Sequence, residues 1–145
     1  MILGTGIDIV HVPRIENAVE RFGERFLERA FCPGEIEWCL KKSDPYPCLA
    51  GRFAAKEALV KALGTGFRDG ITLKQISVER LDSGKPELRL SGKAHSTARK
   101  MNVQGVHLSI SHEREYAVAV VILEGGHDMS VEKVLLKSEG KKSAS

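Results

Sequence analysis

The spacing of apolar residues changes along the chain from a helical period to a period of two. Between residues 13 and 63 they recur at i, i+3, i+4 and i+7, which predicts amphipathic helices. From residue 76 they alternate with polar positions or form short runs between turn residues, which predicts β-strands. Helices in the first half and antiparallel strands in the second indicate an α+β fold.

Four helices are predicted before residue 64. The first begins at Pro13 and ends at Gly23. Its apolar stripe consists of Ile15, Ala18, Val19 and Phe22. Short helices follow around residues 26–31 and 36–40, and a long one runs from about residue 47 to 63, where Gly64 predicts a left-handed cap.

The predicted strands begin with residues 2–10, in which Ile7 and Ile9 should face one side and Asp8 the side away from the core. Residues 76–81 and 86–90 predict a hairpin around DSGK. A helix at 91–101 precedes two strands at 106–111 and 116–123. We therefore expect one domain over residues 1–123 and a polar tail over 124–145, with a weak helical patch at 131–136.

The composition suits one small globular domain and excludes several classes. The 145 residues are 42% hydrophobic and 28% charged, with a net charge of +3. No apolar run is long enough to cross a membrane, and the N-terminus resembles neither a signal peptide nor a transit peptide, so a cytoplasmic protein is expected. Cys32, Cys39 and Cys48 are odd in number and show no CxxC spacing, which favours free thiols.

The long helix, which contains GRFAAKEALVKALGTG, carries two charges in a narrow gap of its apolar surface. Glu57 and Lys61 are four residues apart, so a simple ion pair at the helix edge is one interpretation. The helix runs into Gly64, Thr65 and Gly66, whose small side chains leave backbone amides open to a ligand oxygen. These residues are equally consistent with a mere helix stop.

Asp8 suggests a second interpretation of the same helix. It lies on a glycine-flanked strand, and Mg²⁺ is commonly held by one or two protein carboxylates together with water and substrate phosphate. Asp8 and Glu57 would form such a pair if the fold brought them together. Spacing alone does not establish that contact.

Three segments together carry a family resemblance. GTGIDIV with a following Arg14-Ile15, then GRFAAKEALVKALGTG, then HLSISHEREYAVAVV occur in this order over residues 1–123. This combination closely resembles the holo-[acyl-carrier-protein] synthase family of 4'-phosphopantetheinyl transferases. The resemblance implies the α+β phosphopantetheinyl transferase fold, with an antiparallel sheet packed on a long central helix. It also implies a homotrimer with active sites between subunits, and Mg²⁺-dependent transfer of phosphopantetheine from coenzyme A to a serine of apo acyl carrier protein. It further implies 3',5'-ADP as the other product and fatty-acid biosynthesis as the pathway.

The resemblance also assigns roles to single residues. Asp8 and Glu57 are the expected metal ligands, and Lys61 matches a lysine that contacts the reacting phosphate. His112 matches a histidine of the coenzyme A site. Such a transfer needs charge neutralisation and in-line positioning more than a protein nucleophile. Glu57 or a metal-bound water would accept the serine proton, and the sequence does not choose between them.

Further contacts follow from the same resemblance. Arg14 and Arg21 lie seven residues apart on one helix face and are candidates for docking the acidic carrier protein, although a merely solvated mixed surface is the ordinary interpretation. Arg52 is a candidate for the coenzyme A 3'-phosphate, as are the lysines at 41 and 42. Ser111 would hydrogen-bond a phosphate, or is a solvent-facing strand serine.

Two rival functions fit parts of the sequence. Scattered Arg and Lys would suit a nucleic-acid-binding module, but aromatic residues are few and no continuous basic stripe or nucleic-acid-binding motif is present, so no nucleic-acid partner is expected. A metal-dependent phosphohydrolase would use Asp8 and Glu57 with water as the nucleophile instead of a carrier serine.

Overall fold

The computed structural model of the protein describes residues 1–126. In chain order its elements are β1 (Ile2–His11), α1 (Val12–Phe22), α2 (Glu24–Ala30), α3 (Pro33–Leu40), α4 (Tyr46–Leu63), a 3-10 turn (Leu73–Gln75), β2 (Ile76–Arg80), β3 (Pro86–Leu90), α5 (Gly92–Lys100), β4 (Val103–His112) and β5 (Tyr116–Gly125). The predicted α+β class is confirmed. The helical patch expected at 131–136, with most of the predicted tail, lies outside the described residues.

An antiparallel sheet and the long helix form the centre of the fold. β5 lies between β1 and β4, and β2 pairs with β3 in a separate hairpin. α4 packs across one face of the three-stranded sheet, here called the inner face. A Cβ added to Gly6 would overlap the carbonyl oxygen of Ala58, so the glycine allows the backbone of α4 to touch β1 directly. This contact places the middle of α4 beside Asp8.

The predicted orientation of β1 is wrong. Ile7 and Ile9 are 60% and 64% exposed, whereas Gly6 and Val10 are buried under α4. Asp8 therefore lies on the inner face, at its edge, and not away from the core. Alternation shows that a segment is a strand, but here the apolar residues lie on the uncovered face and glycines lie on the packed one.

Two further expectations differ from the structure. Phe22 is 54% exposed and does not complete the apolar stripe of α1, because the chain turns at Gly23 before that face meets the core. Cys39 and Cys48 form a disulfide between α3 and α4, so the expectation of free thiols holds only for Cys32. The helices bring the two cysteines together across the loop of residues 41–45.

α4 is buried on almost every side, as its composition predicts. Ala55, Ala58, Leu59, Ala62 and Leu63 are buried, and Val60 on the other side is buried as well. Gly64 ends the helix with a φ of 77°, a left-handed conformation that glycine adopts without strain. Among the helices of residues 1–126, none has the length and apolarity needed to cross a membrane.

Candidate active site

Asp8 and Lys61 meet where β1 crosses α4, and Glu57 lies one helical turn before Lys61 on the same helix. Lys61 Nζ lies 2.9 Å from Asp8 Oδ1 and donates a second hydrogen bond of 3.0 Å to the Ile7 carbonyl. Its salt-bridge partner is thus Asp8 and not Glu57 four residues earlier, so the simple i, i+4 ion pair is wrong. We call the group of Asp8, Glu57 and Lys61 the carboxylate cluster.

Electrostatics indicate how closely the two carboxylates are grouped. Burial raises the pKa of Glu57, and the charge of Asp8 raises it further, while Lys61 and Arg14 act in the opposite direction. The charge of Asp8 thus acts on Glu57, although the two residues are 49 positions apart in the sequence. A cation placed between them would relieve their repulsion.

The donor set of the cluster fits a hard divalent cation. Carboxylate oxygens are the ligands that Mg²⁺ prefers, and Mg²⁺ keeps several waters and substrate oxygens, so two carboxylates suffice. Within residues 1–126 no group of three or more His, Cys, Asp or Glu side chains forms a complete protein cage. The cluster could therefore hold Mg²⁺ only as an open site shared with a ligand.

Arg14 lies beside this cluster. Its guanidinium carbon is 6.0 Å from the centre of the Phe53 ring, one turn of α4 before Glu57, and its charge lowers the pKa of Glu57. Arg21 is exposed at the far end of α1, where its guanidinium carbon lies 5.3 Å from the centre of the Phe22 ring. Both predicted docking arginines are thus accessible, but only Arg14 is next to the carboxylates.

The loop of residues 64–72, here called the glycine loop, follows α4 directly. The amides of Thr65 and Gly66 both donate to the Val60 carbonyl, at 3.2 and 3.3 Å, and so belong to the helix cap. The three predicted loop residues therefore lie just beyond Lys61. Their amides close the helix, which corrects the expectation that they are all open to a ligand.

Arg52 lies on another side of α4. It is buried, donates a 3.1 Å hydrogen bond to Cys48 Sγ, and its Nε has no partner among the described residues. It lines a cavity of about 720 Å³ together with Trp38 and Arg80, whose guanidinium carbon is 4.6 Å from the Trp38 ring centre. Burial lowers the pKa of Arg52, so an anion entering this cavity would find a poorly compensated cation.

His112 and Ser111 lie at the end of β4, away from the carboxylate cluster. A Cβ added to Gly51, at the start of α4, would come within 3.9 Å of His112 Cδ2. Ser111 pairs with Val118 on the opposite face of the sheet and is exposed. Within one chain, therefore, the fold gathers Asp8, Glu57 and Lys61 but leaves the predicted coenzyme A residues in separate places.

A buried ion pair that was not predicted from the sequence lies next to the cluster. Lys56 and Glu35 are 0% and 1% exposed, and Lys56 Nζ lies 2.6 Å from Glu35 Oε1. Burial lowers the pKa of Lys56, and Glu35 opposes that effect. The signal was present in the sequence, since Lys56 shares the helix face of Leu59 and Leu63 at i+3 and i+7.

Comparison with known proteins identifies the family. The family model of the 4'-phosphopantetheinyl transferase superfamily matches residues 4–121. A holo-[acyl-carrier-protein] synthase from Maridesulfovibrio salexigens is 52% identical over 124 residues, which are 86% of this chain and 99% of that protein.

Solved structures of holo-[acyl-carrier-protein] synthases are similar to this chain as well. The synthase from Neisseria meningitidis is 38% identical with a TM-score of 0.77 and covers 86% of this chain and 99% of its own. The synthase from Helicobacter pylori, solved in complex with coenzyme A, is 38% identical with a TM-score of 0.73 over 83% of this chain and 99% of its own. These matches cover nearly all of the described residues and lead to one conclusion: the chain belongs to the 4'-phosphopantetheinyl transferase superfamily.

Proposed function

We propose that this chain transfers 4'-phosphopantetheine from coenzyme A to a serine of apo acyl carrier protein. The observation that carries the proposal is the carboxylate cluster, in which Asp8 pairs with Lys61 and both charges act on Glu57. The relatives' names and the coenzyme A complex of the Helicobacter pylori protein support the two substrates. The cytoplasm as the location, and fatty-acid biosynthesis as the pathway, stay predictions from the sequence.

The reaction exchanges one phosphorus–oxygen bond for another. The carrier serine hydroxyl attacks the phosphorus that bears the pantetheine, the bond to the second phosphate breaks, and 3',5'-ADP leaves. The hydroxyl proton passes to Glu57 or to solvent. Lys61, which is half exposed beside Asp8, supplies a fixed positive charge next to the diphosphate. No protein nucleophile is needed, because positioning and charge neutralisation account for catalysis.

Mg²⁺ belongs to this proposal through Asp8 and Glu57. When bound, it would neutralise charge on the diphosphate. Lys61 is held by the Ile7 carbonyl as well as by Asp8, so it stays near the cluster even when Asp8 binds a cation. Calorimetric titration of the protein with Mg²⁺ and the coenzyme A product 3',5'-ADP tests this assignment, because Asp8→Asn should abolish the Mg²⁺ dependence of nucleotide binding.

The separation of His112 from the cluster supports a homotrimer with shared active sites. The sheet face opposite α4, here called the outer face, carries Ile7, Ile9, Val118 and Val120 as cross-strand neighbours. No part of residues 1–126 covers it, and contiguous apolar patches of this kind mark interfaces. We assign this face to the contact between copies, with the cluster of one copy and His112 of another serving the same active site.

Subunit complementation tests the shared site. Glu57→Gln and His112→Ala subunits, each with little activity alone, should regain activity when mixed and re-equilibrated, because some sites then combine one intact cluster with one intact His112. Mixtures that remain as inactive as the separate variants, while native mass spectrometry shows mixed trimers, would place both residues in a site within one chain.

Carrier docking is assigned to the surface around Arg14 and Arg21. Arg14 is exposed and its charge acts on Glu57, so an acidic carrier bound there would have its serine near Glu57. Electrostatic attraction of this kind speeds association and weakens with salt.

Intact mass spectrometry of an apo acyl carrier protein tests the whole proposal. Incubation with coenzyme A and Mg²⁺ should add one phosphopantetheinyl group to the carrier. Consumption of coenzyme A without a change in carrier mass would instead favour a phosphohydrolase.

A further inference from the structure

A buried polar network lies directly behind the carboxylate cluster. Lys56 Nζ donates to three oxygens: Glu35 Oε1 at 2.6 Å, the Ala30 carbonyl at 2.8 Å and the Leu73 carbonyl at 3.2 Å. An ammonium group has three hydrogens, so every donor of Lys56 is used.

Glu35 satisfies its own oxygens in the same way. Its Oε1 also accepts from the Cys32 amide at 2.9 Å, and its Oε2 accepts from the Val78 amide at 3.0 Å. The ion pair therefore joins the end of α2, the start of α3, the middle of α4, the 3-10 turn and β2. Both side chains are essentially without solvent contact.

The position of Leu73 makes this network relevant to the candidate coenzyme site. The glycine loop leaves α4 at Gly64 and reaches the 3-10 turn at Leu73. Its first residues are fixed by hydrogen bonds to Val60, and its far end is fixed by Lys56 through the Leu73 carbonyl. Both ends of the loop are thus attached to the same helix, within four residues of Glu57.

The contact of Glu35 with Val78 fixes the position of the β2–β3 hairpin. Residues 77–82 of the β2–β3 hairpin line the cavity that contains Arg52, and Glu35 holds the hairpin to α3 through the Val78 amide. A buried ion pair is weak support for stability, since apolar replacements of similar volume are often as stable. The network is better suited to fixing positions than to adding stability.

We propose that Lys56 and Glu35 form a positioning pair that sets the glycine loop and the β2–β3 hairpin relative to Glu57, and thereby determines the affinity for coenzyme A. This inference rests on the proposed function, because it assigns these two segments to the coenzyme. It predicts an effect on coenzyme A and not on the carrier protein, whose candidate docking residues lie on α1.

The test compares single and double apolar substitutions. Lys56→Met and Glu35→Leu each leave the other charge buried and unpaired, so each should lower the urea midpoint of unfolding. The double variant removes both charges at similar volume and should recover part of that loss, because the Cys32 and Val78 amides also lose their acceptor. Without the Lys56 donor, however, the Leu73 end of the glycine loop is no longer held, and a misplacement of about 1 Å costs about 10- to 100-fold. We expect the double variant to keep a KM for coenzyme A raised by about that factor, with the KM for the carrier unchanged.

Controls separate this role from general destabilisation. Leu108→Ala, a buried substitution in β4, should lower the urea midpoint while its KM for coenzyme A stays at the wild-type value. If the double variant does not fold, Glu35→Gln serves instead. Glutamine keeps the size of the side chain, but its NH₂ group cannot accept the hydrogen bond that one of the two Glu35 oxygens accepts. The KM of this variant for coenzyme A should rise as well.

A stable double variant, or a folded Glu35→Gln, with the wild-type KM for coenzyme A would overturn the positioning role. Calorimetric binding of coenzyme A provides the same comparison without turnover. A wild-type protein that binds coenzyme A but leaves the carrier unmodified would contradict the proposed function and not this inference.

Discussion

Replacement of Glu57 by glutamine should lower activity without lowering the stability of the fold. The side chain keeps its size and its half-buried position on α4, but it loses the negative charge that would hold Mg²⁺. Removal of one preorganised charge at a reacting centre commonly costs about 100-fold or more in kcat, or about 2.7 kcal/mol. We therefore expect Glu57→Gln to lose at least about that factor in carrier modification.

The same substitution should not destabilise the protein. Burial and Asp8 both disfavour the ionised form of Glu57 and raise its pKa. One pKa unit corresponds to about 1.4 kcal/mol, which the partial exposure of Glu57 reduces. The free energy of unfolding at neutral pH should consequently stay constant or rise by up to about 1 kcal/mol.

The assay pairs carrier mass spectrometry with urea unfolding of the same preparations. Glu37→Gln is the matched control, since Glu37 is exposed on α3 and pairs only with Lys41 among the described residues. The control should retain wild-type activity. Full activity of Glu57→Gln would refute the assignment of Glu57 to the metal, and a large loss of stability would refute the electrostatic argument.

Three further predictions follow from the same contacts. Gly6→Ala should destabilise the protein by about 2 kcal/mol or more, because the new methyl group overlaps the Ala58 carbonyl; an unchanged unfolding midpoint would contradict the direct packing of α4 on β1. Arg14→Ala should raise the KM for the carrier and flatten its salt dependence, with little change in the KM for coenzyme A, and an unaltered carrier KM would remove Arg14 from the docking surface. The Glu57 carboxyl binds more protons in the folded than in the unfolded protein, so the free energy of unfolding should fall as pH rises from the ordinary pKa of a glutamate to the raised pKa of Glu57. Asp8→Asn should lower the pKa of Glu57 in the folded protein and so narrow this pH range, which NMR titration of Glu57 measures; an unchanged pKa would contradict the influence of Asp8.

The elements themselves could be predicted because each is a local pattern. The helical spacing of α4, its end at Gly64 and the short apolar run of β5 all depend on neighbouring residues. The orientation of β1 could not be predicted, since both faces of that strand are used. Glycines pack against α4 on one face, and isoleucines form an apolar outer surface on the other.

Partner choice is the part of the site that the sequence left open. From the sequence, Lys61 could pair with Glu57 on its own helix or with Asp8 on a strand 53 residues away. The packing of α4 on β1 brings Lys61 into contact with Asp8. Lys56 looked like an ordinary charged residue, because its partner Glu35 lies on another helix. The family resemblance supplied the members of the cluster, and the fold supplies their contacts.

The most direct measurement counts both products in one reaction of coenzyme A, Mg²⁺ and apo acyl carrier protein. A transferase that uses the carrier serine as its nucleophile must release one 3',5'-ADP for each carrier molecule that gains phosphopantetheine. We predict equal amounts, with both products lost in Asp8→Asn and Glu57→Gln. Release of 3',5'-ADP without modified carrier would contradict the transfer, because water would then be the acceptor.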